Sequence, residues 1–227
     1  MNSIPQQMIL FDIDNTLVYG SNAQLFYREY SRLLEETIAR ELTISKKEAV
    51  QIANDHRARF NGCGEKAFET HHIPEHVWYD ALCTLNPEAY LKPLPRTNEL
   101  LRFLNKRNMI VGAITDGPEA QIDRICRAAH IDTSLFAFLI GWKRGKQKPK
   151  NGSSTIFTTL CSERSISETK TIMVGDSLHT DIFPSLQAGL SAIHINSPRP
   201  SSTEPTAYKQ ASSIESIIPL IISLLNL

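Results

Sequence analysis

Short apolar runs and longer helical patterns alternate along most of the chain. Five runs have the length and continuity of strands buried on both faces, and they lie at 8–11, 109–114, 137–140, 171–174 and 191–195. Helical patterns alternate with the last four runs, at 97–107, 118–130, 153–163, 180–188 and 214–225. Strands that alternate with helices predict an α/β fold with a doubly wound, Rossmann-like parallel sheet.

Only helical patterns occupy the segment between the first two predicted strands. Four helices are predicted before residue 92, at 21–42, 45–60, 65–72 and 75–84, and the helix at 97–107 follows them. Ser45 and Glu48 have the spacing of a capping box at the start of the second. We therefore predict an α/β core of residues 1–19 and 92–227 and an inserted all-helical domain of residues 20–91. An insert at this position is well placed to act as a lid over the end of the first strand.

Polar residues follow three of the predicted strands. They are Asp12 and Asp14 after the first, Thr115, Asp116 and Gly117 after the second, and Asp176, Ser177 and Asp181 after the fourth. Residues two apart on a strand point to the same side, so Asp12 and Asp14 can face one site. Ligands of open α/β sheets bind at the carboxyl ends of the strands. We therefore expect these residues to converge.

Two carboxylates on one side repel each other unless a cation neutralises them or one takes up a proton. Mg²⁺ suits such a site because it binds one or two carboxylates together with substrate phosphate. A basic loop at 143–150 adds positive charge. Each feature alone has a plainer interpretation, since Asp14 can belong to a polar turn, Asp176 can cap a helix and the lysines can be solvated. Together they provide what phosphoryl transfer requires.

Composition and charge narrow the class of protein. The chain has 227 residues, of which 41% are hydrophobic, and its 24 basic and 24 acidic side chains give no net charge. This balance indicates neither a nucleic-acid partner nor a membrane surface. The apolar stretch at 217–225 is too short to span a bilayer, and residues 1–7 lack the pattern of a targeting signal. Four scattered cysteines suit a reducing compartment, so we expect a cytoplasmic protein, either monomer or homodimer.

Four motifs resemble those of the haloacid dehalogenase (HAD) superfamily, in its phosphatase branch with an all-helical C1-type cap (subfamily I). They are Asp12-Ile13-Asp14-Asn15-Thr16, Ile114-Thr115-Asp116-Gly117, a lysine best matched by Lys148 because Pro149 follows it, and Gly175-Asp176-Ser177 through Asp181-Ile182. The resemblance covers the whole chain. The third motif departs from the common pattern, since the link to the next helix is longer than usual. Lys143, Lys146 and Lys150 therefore stay open as alternatives to Lys148.

The resemblance implies a role for each motif residue. Asp12 is the nucleophile that forms an aspartyl-phosphate, and Asp14 is the general acid and base. Lys148 pairs with Asp12 and with the phosphoryl group. Phosphate oxygens are held by Thr115, Asp116, Gly117 and Lys148. Mg²⁺ is held by Asp12, the carbonyl oxygen of Asp14, and Asp176, with Asp181 and Ser177 in support.

The implied function is hydrolysis of a small, soluble phosphate monoester, with nucleoside monophosphates and sugar phosphates as the leading classes. Asp14 favours phosphate chemistry because dehalogenases of the superfamily lack this residue. The helical cap is expected to select the substrate, through Arg57, Arg59 or Asn61, although these residues also suit an exposed helix end. Two alternatives stay open: a phosphomutase of the same superfamily, and a catalytically silent binding protein on this fold.

Overall fold

The computed structural model describes residues 7–60, 63–195 and 207–225. Asn61, one of the predicted substrate-selecting residues, lies outside these ranges. Within them, no helix has the length and apolar character needed to cross a membrane.

Six parallel strands form the central sheet. They are β1 (Met8–Phe11), β2 (Ile110–Pro118), β3 (Phe138–Trp142), β4 (Thr171–Gly175), β5 (Ser191–Ile195) and β6 (Lys209–Ala211). Their order is β3-β2-β1-β4-β5-β6, and every neighbouring pair is parallel. The predicted parallel α/β sheet is thus confirmed. The sixth strand was not predicted, because its three residues include an exposed lysine and form no apolar run.

Nine α-helices accompany the sheet in the described ranges. They are α1 (Gly20–Leu42), α2 (Lys46–Arg59), α3 (Lys66–Thr70), α4 (Glu75–Cys83), α5 (Pro95–Asn105), α6 (Glu119–Ala128), α7 (Thr155–Glu163), α8 (Phe183–Gln187) and α9 (Ile217–Leu225). The capping box is present, since the Ser45 hydroxyl accepts from the Glu48 amide and the Glu48 carboxylate accepts from the Ser45 amide. The single helix predicted at 180–188 is instead a π-helical turn, Leu178–Ile182, followed by α8.

Residues 20–91, between β1 and α5, contain α1 to α4 and no strand among the residues described there. Their buried side chains continue the hydrophobic core of the sheet rather than forming a separate one. Phe26 and Trp78 belong to the same buried cluster as Ile9 and Phe11 of β1. The division of the chain into two domains at residues 20 and 91 therefore stays a prediction.

Strand β1 lies between β2 and β4, at the centre of the sheet. All four of its residues are fully buried, which explains the continuous apolar run in the sequence. The strand order reverses at β1, because later strands are added on both sides of it. Such a switch point leaves a crevice at the carboxyl ends of the strands, where ligands of doubly wound sheets bind. One crevice is therefore surrounded by the residues that follow β1 and β4 and by the last residues of β2, since Thr115, Asp116 and Gly117 lie within that strand and not after it as predicted.

Candidate active site

Asp12 and Asp14 stand at the carboxyl end of β1, as the two-residue spacing predicts. The Asp12 amide donates to the carbonyl of Val174 at 2.9 Å, which prolongs the pairing with β4. A tight turn follows, in which the amides of Leu17 and Val18 both donate to the Ile13 carbonyl. Asp12 is only 4% exposed, so its carboxylate is held in a fixed and largely dry position.

Two hydroxyl groups hold the Asp14 carboxylate. Tyr27 Oη donates to its Oδ1 at 3.1 Å, and Thr115 Oγ1 donates to its Oδ2 at 3.0 Å. Burial raises the pKa of Asp14, and these two hydrogen bonds counter part of that rise. A carboxyl group whose pKa is raised holds a proton to higher pH than an ordinary carboxyl, which suits a group that gives and takes a proton.

Lys150 is the lysine that the structure brings to Asp12. Its Nζ lies 2.5 Å from Asp12 Oδ1 and 2.5 Å from Asp181 Oδ1, and its side chain is 3% exposed. The backbone of the same residue is also fixed, since its amide donates to Asp116 Oδ1 at 2.9 Å. The two carboxylates hold the pKa of Lys150 well above its usual range despite burial, so the ammonium form is favoured.

Lys148, the lysine predicted for the third motif, has a different partner in the structure. Lys148 Nζ pairs with Glu65 Oε1 of the helical segment and not with Asp12. The physical reason is the course of the loop: a turn in which the Ser153 amide donates to the Lys150 carbonyl brings Lys150 inward. Lys143 is largely exposed and lies 3.5 Å from Glu119, also remote from Asp12.

A third carboxylate, that of Asp176, lies close to the two that contact the Lys150 ammonium. Oxygens of Asp12, Asp176 and Asp181 all lie within 4.8 Å of one another. Burial, followed by the charge of Asp181, raises the pKa of Asp176 to about 7, and burial raises that of Asp12 well above its usual range. One ammonium cannot balance this negative charge, so the residues fit a divalent cation with a preference for oxygen ligands.

The position of Asp181 depends on two neighbours. Its Oδ2 accepts a hydrogen bond from the Ser177 amide at 3.0 Å, at the start of the π-helical turn. A Cβ atom built on Gly175 would lie 2.3 Å from the same oxygen, so only glycine leaves room for this carboxylate. The Ser177 hydroxyl accepts from the Thr180 amide and thereby stabilises the turn.

Thr115, Asp116 and Gly117 form the adjacent wall of the crevice. The Gly117 amide donates to Thr115 Oγ1 at 2.9 Å, which orients this hydroxyl toward Asp14. The Asp116 carboxylate accepts a hydrogen bond from the Lys150 amide, and this bond fixes the lysine loop beside the crevice. The structure thus brings together the predicted residues of motifs one, two and four, with Lys150 in place of Lys148.

The predicted substrate-selecting arginines lie elsewhere. Arg57 Nη1 donates to Asn54 at 2.8 Å and contacts Glu35 at 3.3 Å, within the helical segment, and Arg59 is exposed. Two tyrosines of α1 approach the site instead: Tyr27 contacts Asp14, and Tyr30, one turn later, donates to Glu65 at 2.6 Å. Sequence reasoning missed these hydroxyls because both residues were consistent with an apolar helix face.

A cleft opens beside this part of the site. It has a volume of about 390 Å³ and is lined by Asn15, Gln24, Tyr27, Arg28, Ser31, Arg32 and Glu35. Tyr27 connects the cleft with the site, because it lines the cleft and its hydroxyl donates to Asp14 and accepts from the Asn15 amide at 2.9 Å. The side of the crevice that contains Asp14 is therefore open to solvent.

Comparisons with known proteins agree with this geometry. A family model described as haloacid dehalogenase-like hydrolase matches residues 7–189. A glyceraldehyde 3-phosphate phosphatase of Pyrococcus furiosus is 23% identical over 194 residues, which cover 82% of this chain and 79% of that protein. A HAD phosphatase of Thermococcus onnurineus superposes with a TM-score of 0.64 at 18% identity, over 95% of this chain and 98% of its own. A magnesium-bound HAD hydrolase of Bacillus subtilis gives 0.60 at 17% identity, over 96% and 99%.

The similarities to the two solved structures, at 18% and 17% identity, concern the fold alone. The family match establishes more than the fold, because it spans most of the chain, including the candidate site residues at the carboxyl ends of β1, β2 and β4. The chain therefore belongs to the haloacid dehalogenase-like hydrolase family.

Proposed function

We propose that this HAD-family phosphatase hydrolyses a small, soluble phosphate monoester with the help of Mg²⁺, through an aspartyl-phosphate formed on Asp12. One observation carries the proposal: a buried carboxylate, bonded to the Lys150 ammonium, stands two residues from a carboxyl group held by two hydroxyls. The first group suits nucleophilic attack and the second suits proton transfer. Both face the crevice at the switch point of the sheet.

Asp12 is the proposed nucleophile. An anionic carboxylate and an anionic phosphate repel each other, and the Lys150 ammonium at 2.5 Å lowers that repulsion. The Asp181 carboxylate, which is fully buried, fixes the ammonium from the other side. In the attack, the bond from phosphorus to the leaving oxygen breaks as the bond to Asp12 forms.

Asp14 is the proposed proton carrier. In its protonated form it gives a proton to the leaving oxygen, and as the resulting carboxylate it takes a proton from the water that hydrolyses the aspartyl-phosphate. Its raised pKa favours the first step, and the hydrogen bonds from Tyr27 and Thr115 favour the second. The proposed donors to phosphate oxygens are the amides of Asp116 and Gly117 and the hydroxyl of Thr115. The last two donate to Thr115 and to Asp14 in this structure, so they exchange these bonds for the phosphate when substrate binds.

Asp12, Asp176 and the backbone carbonyl of Asp14 are the proposed ligands of Mg²⁺. The ion, when bound, neutralises charge on the phosphoryl group and on the carboxylates. Support comes from the excess of negative charge in the cluster of Asp12, Asp176 and Asp181. Asp181 already binds Lys150 and the Ser177 amide, so its proposed part is to position these groups.

We further propose that the helical segment of residues 20–91 acts as an all-helical C1-type cap, as in subfamily I, and selects the substrate. Nucleoside monophosphates and sugar phosphates are the leading classes. The relative from Pyrococcus furiosus is named a glyceraldehyde 3-phosphate phosphatase, which favours the second class. Roles of Arg57, Arg59 and Asn61 in this selection stay predictions.

The proposal is tested by phosphate release from a panel of nucleotides, sugar phosphates and small acid phosphates, with Mg²⁺ and with a chelator. We expect release that the chelator stops and added Mg²⁺ restores. Asp12→Asn should lower turnover by about 10⁴-fold or more, since an amide is a poor nucleophile. The matched control is Asp123→Asn, which changes an exposed aspartate on α6. Retained turnover in Asp12→Asn contradicts the nucleophile, and isomerised substrate without free phosphate indicates a phosphomutase instead.

A further inference from the structure

A second charged cluster lies where the helical segment meets the lysine loop. Glu65 Oε1 pairs with Lys148 Nζ, and Glu65 Oε2 accepts a hydrogen bond from Tyr30 Oη at 2.6 Å. The side chains of Lys148 and Glu65 are 15% and 21% exposed, so the pair is mostly removed from water. Charged groups in such a place are costly unless polar partners satisfy them.

This cluster adjoins the reacting groups on two sides. Lys148 precedes Lys150 by two residues, and the Lys150 ammonium contacts Asp12. Tyr30 lies one helical turn after Tyr27, on the same face of α1, and the Tyr27 hydroxyl contacts Asp14. The leaving group of a phosphate ester departs toward the general acid, which is Asp14 in the proposed mechanism, so it leaves on the side of Tyr27, one helical turn from Tyr30.

The chemistry of the pair determines what it can bind. Glu65 as a carboxylate only accepts hydrogen bonds, and Lys148 as an ammonium only donates them, whereas a hydroxyl does both. The Glu65 carboxylate would repel a leaving group with a carboxylate or a second phosphate, and the Lys148 ammonium would repel a cationic leaving group. An alkyl group would leave both charges without new partners. A neutral hydroxylated group matches the pair best.

We propose that Glu65 and Lys148 bind a hydroxyl group of the leaving alcohol, so that the enzyme prefers uncharged, hydroxylated esters such as polyol and sugar phosphates. This inference rests on the proposed phosphatase function and narrows its substrate class. Tyr30 is a positioning residue, because its hydroxyl fixes the Glu65 carboxylate. The alternative is that the pair only ties the helical segment to the loop.

The chain offers a matched control for that alternative. Asp80 of the helical segment and Arg144 of the same loop form a second ion pair, with two contacts of 2.7 Å, and both side chains are at least half exposed. Asp80→Asn therefore loosens the same tie without altering the Glu65 cluster. A change in selectivity that appears in Glu65→Gln but not in Asp80→Asn belongs to recognition and not to the tie.

The experiment compares kcat/KM for glycerol 3-phosphate, propyl phosphate and 2-phosphoglycolate, which carry a hydroxylated, an alkyl and an anionic leaving group. The wild-type enzyme should prefer glycerol 3-phosphate to propyl phosphate by about tenfold or more, the worth of a hydrogen bond to a charged group. Glu65→Gln should reduce this preference mainly through KM. It should also raise kcat/KM for 2-phosphoglycolate relative to that for propyl phosphate, because the Lys148 ammonium is no longer neutralised.

Tyr30→Phe provides a second variant if Glu65→Gln does not fold. It should also reduce the preference for glycerol 3-phosphate over propyl phosphate. Equal wild-type kcat/KM for glycerol 3-phosphate and propyl phosphate overturns the inference and leaves the phosphatase function intact. Parallel changes with all three esters in both Glu65→Gln and Asp80→Asn also overturn it. Release of phosphate from no ester overturns the proposed function, and this inference with it.

Discussion

Replacing Lys150 with methionine tests the centre of the proposed site. The change keeps an unbranched side chain that is one atom shorter, but removes an ammonium that lies 2.5 Å from both Asp12 and Asp181. Breaking a buried ion pair on one side typically costs about 3–5 kcal/mol of folding free energy. Removing one preorganised charge from a transition state typically lowers the rate by about 10²–10³-fold, or roughly 3–4 kcal/mol. We expect losses of this size in both stability and kcat/KM.

The assay pairs chemical denaturation with phosphate release from propyl phosphate, an ester whose leaving group carries no hydroxyl. Lys146→Met, in an exposed part of the same loop, is the control for the substitution itself. Lys148→Met distinguishes the two candidates for the third motif. With this ester, Lys150→Met should be impaired far more than Lys148→Met, because only Lys150 contacts Asp12.

The reasoning is refuted if folded Lys150→Met keeps more than about a tenth of the wild-type kcat/KM, since the loss of one charge is expected to lower kcat/KM by about 100-fold or more. An equal loss in Lys148→Met would also refute it. In that case the pairing of Lys148 with Glu65 would describe a state other than the reactive one.

Three further predictions concern neighbours of Asp12. Tyr27→Phe removes a hydrogen bond that lowers the pKa of Asp14, so the limb of the pH–kcat profile that reports Asp14 should move to higher pH; an unchanged profile contradicts the role of Asp14. Gly175→Ala places a Cβ 2.3 Å from Asp181 Oδ2, so we expect a loss of about 1–3 kcal/mol in denaturant melts together with reduced phosphate release. The folded pKa of Asp176 is raised from 3.8 to about 7 without metal, so the folded state binds this proton more tightly than the unfolded state. That contribution to stability is complete below about pH 4 and is lost as the pH rises through 7, and thermal melts of metal-free Asp176→Asn should lack this part of the decline.

The strands and the three polar strand ends could be predicted because their signals are local. β1 is four apolar residues that end at an aspartate, and its fully buried position requires that run. Asp12, Thr115 and Asp176 lie at the carboxyl ends of strands that are neighbours in the parallel sheet, so their convergence follows from topology. β6 gave no such signal, since an edge strand of three residues with an exposed lysine needs no apolar run.

The lysine and the contacts from the helical segment depend on tertiary structure. Lys150 is positioned by a turn to Ser153 and by the bond to Asp116, and no periodicity places a loop residue. The Lys-Pro pattern favoured Lys148, whose partner Glu65 lies far away in the sequence. Tyr27 is similar: its helix could be predicted, but the reach of its hydroxyl to Asp14 depends on how α1 packs.

The central position of β1 has a consequence for biosynthesis. Met8–Phe11 leaves the ribosome first, yet its partners in the sheet begin at Ile110 and Thr171. At a synthesis rate of about 5–20 residues per second, the second partner follows roughly 8–30 s later. Until then at least one edge of the most apolar strand of the sheet is unpaired, a state that favours aggregation. The nascent chain therefore needs shielding, by its own helices or by a chaperone, before Asp12 can reach its place in the proposed site.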